Sequence, residues 1–346
     1  MSRSRPGGST ATRRAPAPDG PLRLDLLVNP YGPSSHVQDA LAASDDLHLP
    51  SPERELRLHL RLARTLGVPP DWLVLANGID ELLGMILLWR RGCGPLVLFP
   101  PSDPEDERRA ARYGLEVVRV PRADGFTLDL APGAARGLPH GATALVTSPN
   151  DPTGTLLGNQ AAVRLARGCE LIVIDERHAE YSGRSLRPLA REFENMIVLG
   201  TFETWAGLTG FPCAYAVAPP RLAADLRTRR RPGGVATGAI LAAEATLDDL
   251  VYVRATVQRV REEKSSLFRM LRKLNMLRPC PSWANFVPAR IERGDADYFA
   301  RELARRGIQV HRPPHPELDA FLRISATRPD HTLALKRALI EIAAPL

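Results

Sequence analysis

The chain has 346 residues, of which 44% are hydrophobic and 25% charged, enough to bury a sizeable core in a large domain with a smaller one beside it. The formal net charge is +7, and of 46 lysines and arginines only Lys264, Lys273 and Lys336 are lysine. No basic stripe with interleaved aromatics accompanies this charge, which argues against a nucleic-acid partner, and no apolar run approaches the roughly 20 residues that span a bilayer.

The four cysteines, Cys93, Cys169, Cys213 and Cys280, are far apart and lack paired spacing. They read as free thiols in a reducing compartment, with no structural metal. Residues 1–21 are rich in Pro, Gly, Ser and Arg. They read as a disordered basic tail rather than a secretory signal, since no hydrophobic stretch follows. The expected location is the cytoplasm. The run Arg227 to Arg231, next to Pro232, Gly233 and Gly234, reads as a solvated turn.

In chain order, helical spacing of apolar residues predicts helices over 53–66 and 80–89. Short apolar runs predict strands at 96–99, 115–120, 144–146, 171–174, 196–199 and 214–218. Several of these are continuously apolar, as in strands buried on both faces. A long helical stretch with breaks follows over 236–274. Then come a strand at 285–290, a helix at 296–306, strands at 308–311 and 321–325, and a helix at 331–342. Alternating strands and helices predict an α/β fold with a mostly parallel sheet. Residues 22–250 read as the large domain, including an N-terminal segment over 22–52, and 251–346 as a small α+β domain.

Chemistry concentrates where strands end. Ser148-Pro149-Asn150-Asp151-Pro152-Thr153-Gly154 follows one strand, Asp175-Glu176 the next, and Thr201-Phe202-Glu203-Thr204 a third. In open α/β sheets ligands bind beyond the carboxyl ends of strands, so these ends are expected to converge on one pocket.

Seven segments then resemble one family in order and spacing. They are Asn29 to Ser34, Asn77 to Glu81, Ser148 to Gly154, Ile174 to Glu176, Gly207 to Gly210, Ser282 to Phe286 and Leu322 to Ile324. From about residue 24 the chain is similar to the fold-type I pyridoxal-phosphate aminotransferases, in particular the histidinol-phosphate aminotransferase branch. The resemblance implies a fold-type I large domain, a small C-terminal domain and a homodimer. It also implies that Asp175 pairs the pyridinium nitrogen and that Asn77 and Gly78 cradle the phosphate at a helix start, where backbone N–H groups favour anions. Arg323 would clamp a substrate carboxylate, and Tyr31 would close over substrate.

The chain departs from the family at the chemistry itself. In the motif Ser-Lys-x-x-Gly-Leu-x-Gly it reads Glu203-Thr204-Trp205-Ala206-Gly207-Leu208-Thr209-Gly210, so the lysine position is Thr204, whose hydroxyl forms no imine. The family's phosphate-contacting serine becomes Glu203, and its phosphate-pairing arginine becomes Pro212. The ring-stacking aromatic falls near Pro104. The asparagine before Pro-Thr-Gly is Asp151, the tyrosine after Asp-Glu-Ala is His178, and the tyrosine lent by the partner subunit is Leu49. No lysine precedes Lys264, and Lys264 reads as a solvated charge on a helix.

These losses imply no bound cofactor, or pyridoxal phosphate held only non-covalently. Whether the chain is an enzyme is left open. One reading is a biosynthetic enzyme that works without the cofactor, with Asp175, His178 and Glu203 as candidate acid–base residues acting on a carboxylate-bearing, amino-acid-like molecule. An alternative is a non-catalytic pseudoenzyme that binds a metabolite or partners an active relative. A third is a lyase or aminotransferase using non-covalent pyridoxal phosphate. Tyr31 and Arg323 are the substrate-binding candidates, and Asn77, Gly78, Asp151, Asp175 and Thr204 mark the former cofactor pocket.

Overall fold

The computed structural model describes residues 20–128, 130, 137–230 and 233–344. Most of the basic tail and Arg231 therefore lie outside the described residues.

A seven-stranded sheet organises the molecule. Its strands are β2 (Leu73–Ala76), β3 (Leu96–Leu98), β4 (Val117–Arg119), β5 (Thr143–Thr147), β6 (Leu171–Asp175), β7 (Met196–Thr201) and β8 (Ala214–Val217), with β1 (Leu22–Leu24) lying outside it. The order is β2-β8-β7-β6-β5-β3-β4, and only β8 runs antiparallel to its neighbours. Side chains of β6 and β7 alternate between two cores. Leu171, Val173, Ile197 and Leu199 face one, while Ile172, Ile174, Met196 and Val198 face the other. This two-sided burial explains why the strands are continuously apolar in sequence.

Helices cover both faces. They are α1 (Ser35–Ala42), α2 (Pro52–Leu66), α3 (Ile79–Arg90), α4 (Pro104–Tyr113), α5 (Asn159–Gly168), α6 (Ala179–Ser182), α7 (Pro220–Arg229) and α8 (Thr237–Asp248). The 23-residue α9 (Leu250–Arg272) then leads into the C-terminal part. The long helical stretch expected over 236–274 is thus broken at Asp249, whose side chain accepts from Tyr252 N and caps α9.

The C-terminal part holds β9 (Leu277–Pro279), β10 (Phe286–Ile291), α10 (Ala296–Arg305), β11 (Ile308–Val310), β12 (Phe321–Ser325) and α11 (Pro329–Ala343). Strands β12, β10 and β9 form a separate antiparallel sheet. Strand β1 pairs in parallel with β11, so the opening of the N-terminal segment joins the C-terminal part rather than the large sheet. The basic run is also not a solvated turn. Arg227 and Arg229 end α7, and Arg230 is nearly buried in an ion pair with Glu55.

Strands β5, β6 and β7 are parallel neighbours, with Thr147 opposite Asp175 and Asp175 opposite Leu199. Their carboxyl ends lie side by side, but the expected single pocket is not formed: Thr201, Glu203 and Thr204 line one cavity, whereas Asp151 turns to Arg323.

Candidate active site

The site is built from the strand ends and the start of α3. Strand β2 stops at Ala76, and Asn77 and Gly78 turn the chain into α3. Gly78 sits at φ +84°, a left-handed conformation that glycine adopts without strain. A Cβ there would also meet Glu203 Oε1 at 2.9 Å. Gly78 has no side chain with which to cap the helix, and Glu203 takes over that task. Its Oε1 accepts from Ile79 N at 3.3 Å and from Thr201 Oγ1 at 2.9 Å. A carboxylate of the chain itself thus lies where helix N–H groups and the helix dipole favour an anion. Burial pushes the Glu203 carboxyl above its usual range, opposed by the bonds from Thr201 and Ile79.

Asn77 serves the backbone. Its amide donates to Gly234 O at 2.6 Å, its oxygen accepts from Ala236 N at 2.9 Å, and its own N–H reaches Glu81 Oε2 at 2.5 Å. It ties the cradle to the segment that enters α8.

Asp175, at the end of β6, is 1% exposed. Arg177 turns back on it, with Nε 2.7 Å and Nη2 2.5 Å from Oδ2, while the Arg177 N–H reaches Oδ1 at 3.0 Å. The pair offsets the burial of both groups, and Arg177 is held firmly charged. Arg177 is the main residue that sequence reasoning missed. The available signal was an arginine at the alanine of Asp-Glu-Ala, close enough along the chain to fold onto Asp175.

Thr204 donates its hydroxyl to Arg177 O at 2.5 Å. Glu203, Thr204 and Arg177 line a cavity of about 300 Å³ together with Asn77, Gly78 and Pro212. The expected trio of Asp175, His178 and Glu203 does not share it, because only Glu203 lines this cavity. His178 is 1% exposed and meets the Phe286 ring edge-on at 6.3 Å between centroids. Burial lowers its pKa to about 4, against the opposing pull of Asp151, so the imidazole is neutral near pH 7. Neither ring nitrogen has a partner among the described residues.

Arg323, in β12, is also engaged. Its Nη1 spans both oxygens of Asp151 at 2.7 and 2.6 Å, and its Nη2 donates to Asp25 O at 2.6 Å. The guanidinium lies 5.5 Å from the Phe286 ring centroid, and its Nε is unpartnered. Burial raises the Asp151 carboxyl, but Arg323 outweighs this and holds it below the ordinary range.

Tyr31 does not line the Glu203 cavity. Its ring lies under Arg259 of α9 at 5.6 Å, in a different hollow of the surface. Leu49 is exposed, and its carbonyl accepts from Thr237 Oγ1. Pro104 opens α4. Lys264 is not a solvated charge. It is half-buried, and its Nζ donates to Ser282 O at 2.7 Å and Ala284 O at 2.8 Å. Burial, with Arg261 nearby, lowers its pKa to about 8.

The family model for aminotransferase class I and II matches residues 34–341. The chain belongs to this aminotransferase family. Its relatives include the histidinol-phosphate aminotransferase of Roseiflexus castenholzii, 36% identical over 93% of this chain and 90% of the relative. The chloroplastic histidinol-phosphate aminotransferase of Nicotiana plumbaginifolia is 31% identical over 95% of this chain and 81% of the relative. The histidinol-phosphate aminotransferase of Sinorhizobium meliloti in complex with pyridoxal-5'-phosphate superimposes with a TM-score of 0.83 at 26% identity, covering 93% of this chain and 90% of that one.

That complex corrects the expectation of no cofactor: the family to which the chain belongs works with pyridoxal phosphate. At the positions that motif spacing aligns with the family's cofactor-holding residues, this chain carries different side chains. Thr204 has no amine, the Glu203 carboxylate takes the helix N–H of the phosphate cradle, and Arg177 covers Asp175. Among the described residues no group of three or more His, Cys, Asp or Glu is placed to hold a metal ion, and no helix is long and apolar enough to cross a membrane.

Proposed function

We propose that the chain is a non-transaminating member of the aminotransferase family that binds a small amino-acid-like carboxylate at Arg323, as a homodimer in a biosynthetic setting. Residue 204 supplies no amine, so the family's covalent step has no nucleophile here. The observation that carries the binding reading is the set of unpartnered buried nitrogens beside Arg323. His178 Nδ1 and Nε2 and Arg323 Nε all lack partners around the Phe286 ring. Buried polar atoms are nearly always hydrogen-bonded, so orphans gathered in one place support a polar guest there. A ligand carboxylate exchanges with Asp151 on the guanidinium, and a neutral His178 offers one donor and one acceptor to the rest of the molecule.

This arrangement favours binding over cofactor-independent acid–base chemistry. Asp175 is locked to Arg177, and His178 stays neutral down to about pH 4. A histidine in that state is not poised to exchange protons near neutral pH.

Isothermal titration calorimetry with L-glutamate and succinate tests the reading. Saturable binding that is lost in Arg323→Gln and strengthened in Asp151→Asn supports it. Binding that is indifferent to both substitutions, or absent in all three proteins, overturns it.

A further inference from the structure

The turn Thr201 to Trp205 has two sides. Glu203 and Thr204 face the cavity described above, whereas Phe202 and Trp205 face a second one of about 450 Å³. This volume lies in the range of small-molecule sites. Leu62 of α2, and Leu250 and Val257 of α9, complete its apolar wall. The aromatic side is preformed, with Phe202 and Trp205 rings 5.4 Å apart and Tyr215 edge-on to Phe202 at 6.3 Å.

The polar end carries an acidic and a basic side chain with no direct hydrogen bond or ion pair between them among the described residues. Glu180 lines the cavity, and its Oε2 is buried without a hydrogen-bond partner. Arg187 lines the same cavity and donates from Nη1 to the Tyr215 hydroxyl at 2.8 Å, rather than to Glu180. Arg254 and Arg261 stand exposed at the rim, and neither forms an ion pair among the described residues.

We infer that this cavity is a second binding site, separate from the site proposed at Arg323, for an amino acid with a large apolar side chain. The side chain packs on Phe202, Trp205 and Leu250. The ammonium group satisfies Glu180 Oε2, and the carboxylate meets Arg187 with Arg254 and Arg261 adding positive field at the rim. A purely apolar guest leaves Glu180 unsatisfied, and an anion alone uses only the arginine side. Burial has raised the Glu180 carboxyl to about 7. An arriving ammonium favours its charged form, so binding near neutral pH releases a proton.

The test is calorimetry of the full chain with L-phenylalanine at pH 6.5, in two buffers of different ionisation enthalpy. The expected result is saturable binding with net proton release. Phenylacetate and phenethylamine, each missing one charged end, bind more weakly by roughly tenfold or more. Glu180→Gln loses the proton release and a similar factor in affinity, while the proton-releasing binding event persists in Arg323→Gln. Absence of binding to the wild-type chain overturns the inference, as does binding that survives Glu180→Gln and disappears in Arg323→Gln. Binding proposed at Arg323 is read with L-glutamate and succinate in separate titrations, so failure of one site is distinguishable from failure of the other.

Discussion

Glu203 Oε1 lies 3.3 Å from Ile79 N, so a side chain of the protein itself accepts from the first turn of α3. Helix α3 has no capping side chain at Gly78, and a carboxylate is the group its N-terminus favours. Replacing Glu203 by serine frees that N–H and removes a buried carboxyl. The Glu203→Ser variant is expected to gain roughly 1–2 kcal/mol of stability from millimolar inorganic phosphate, a few degrees in Tm, where the wild type gains nothing comparable. Thermal unfolding with and without phosphate reads this directly, and equal shifts in both proteins contradict it.

Arg323 and Asp151 form a pair whose side chains are 7% and 16% exposed. Removing one partner strands the other charge in a buried place. Arg323→Leu or Asp151→Leu alone is expected to cost about 3–5 kcal/mol, and the double variant substantially less than the sum. Urea unfolding of the four proteins gives the coupling. Additive costs mean that the two side chains do not depend on each other.

His178 ties stability to pH. Its pKa is about 4 in the folded chain and about 6.5 when unfolded. A depressed histidine pKa means that the unfolded chain binds the extra proton first. The contribution is therefore whole above about pH 6.5 and is lost as pH falls toward about 4, by about 3 kcal/mol. In His178→Asn the stability should fall less steeply over this window. Parallel profiles for the two proteins contradict the assignment.

The proposed loss of the family's covalent step rests on Thr204, Glu203 and Arg177. Thr204→Lys combined with Glu203→Ser and Arg177→Ala returns the family's residues to all three positions. With pyridoxal phosphate and borohydride, this variant is expected to carry a covalent adduct on residue 204 by peptide mass, and Thr204→Lys alone far less of it. Equal labelling of the two variants means that Glu203 and Arg177 do not obstruct the pocket.

Much of the large sheet was legible because its strands bury both faces and so read as unbroken apolar runs. The run Leu171 to Ile174 and the run Met196 to Leu199 are examples, found in β6 and β7. Other elements were not read. Helix α4 is a charged stretch whose buried residues are Asp106, Arg109 and Ala110, so no apolar stripe announces it. Strand β1 has three residues and is held by β11 across nearly the whole chain, a pairing that local patterning does not carry. For the proposed site, motif spacing singled out Asp175, Asp151, Thr204 and Arg323. It did not reveal that Arg323 meets Asp151, 172 positions away, or that Arg177 folds onto Asp175. Those are tertiary facts, and they turn a set of isolated charges into pairs.

The most direct test of the central claim is amino-group transfer. The purified chain, supplied with pyridoxal phosphate, ¹⁵N-labelled L-glutamate and a 2-oxo acid, is followed by mass spectrometry against a protein-free blank containing the same cofactor. Label transfer no faster than the blank is the predicted result, since residue 204 has no amine to carry the reaction. Transfer well above the blank, persisting in highly purified protein, contradicts the claim and places the missing amine elsewhere in the chain.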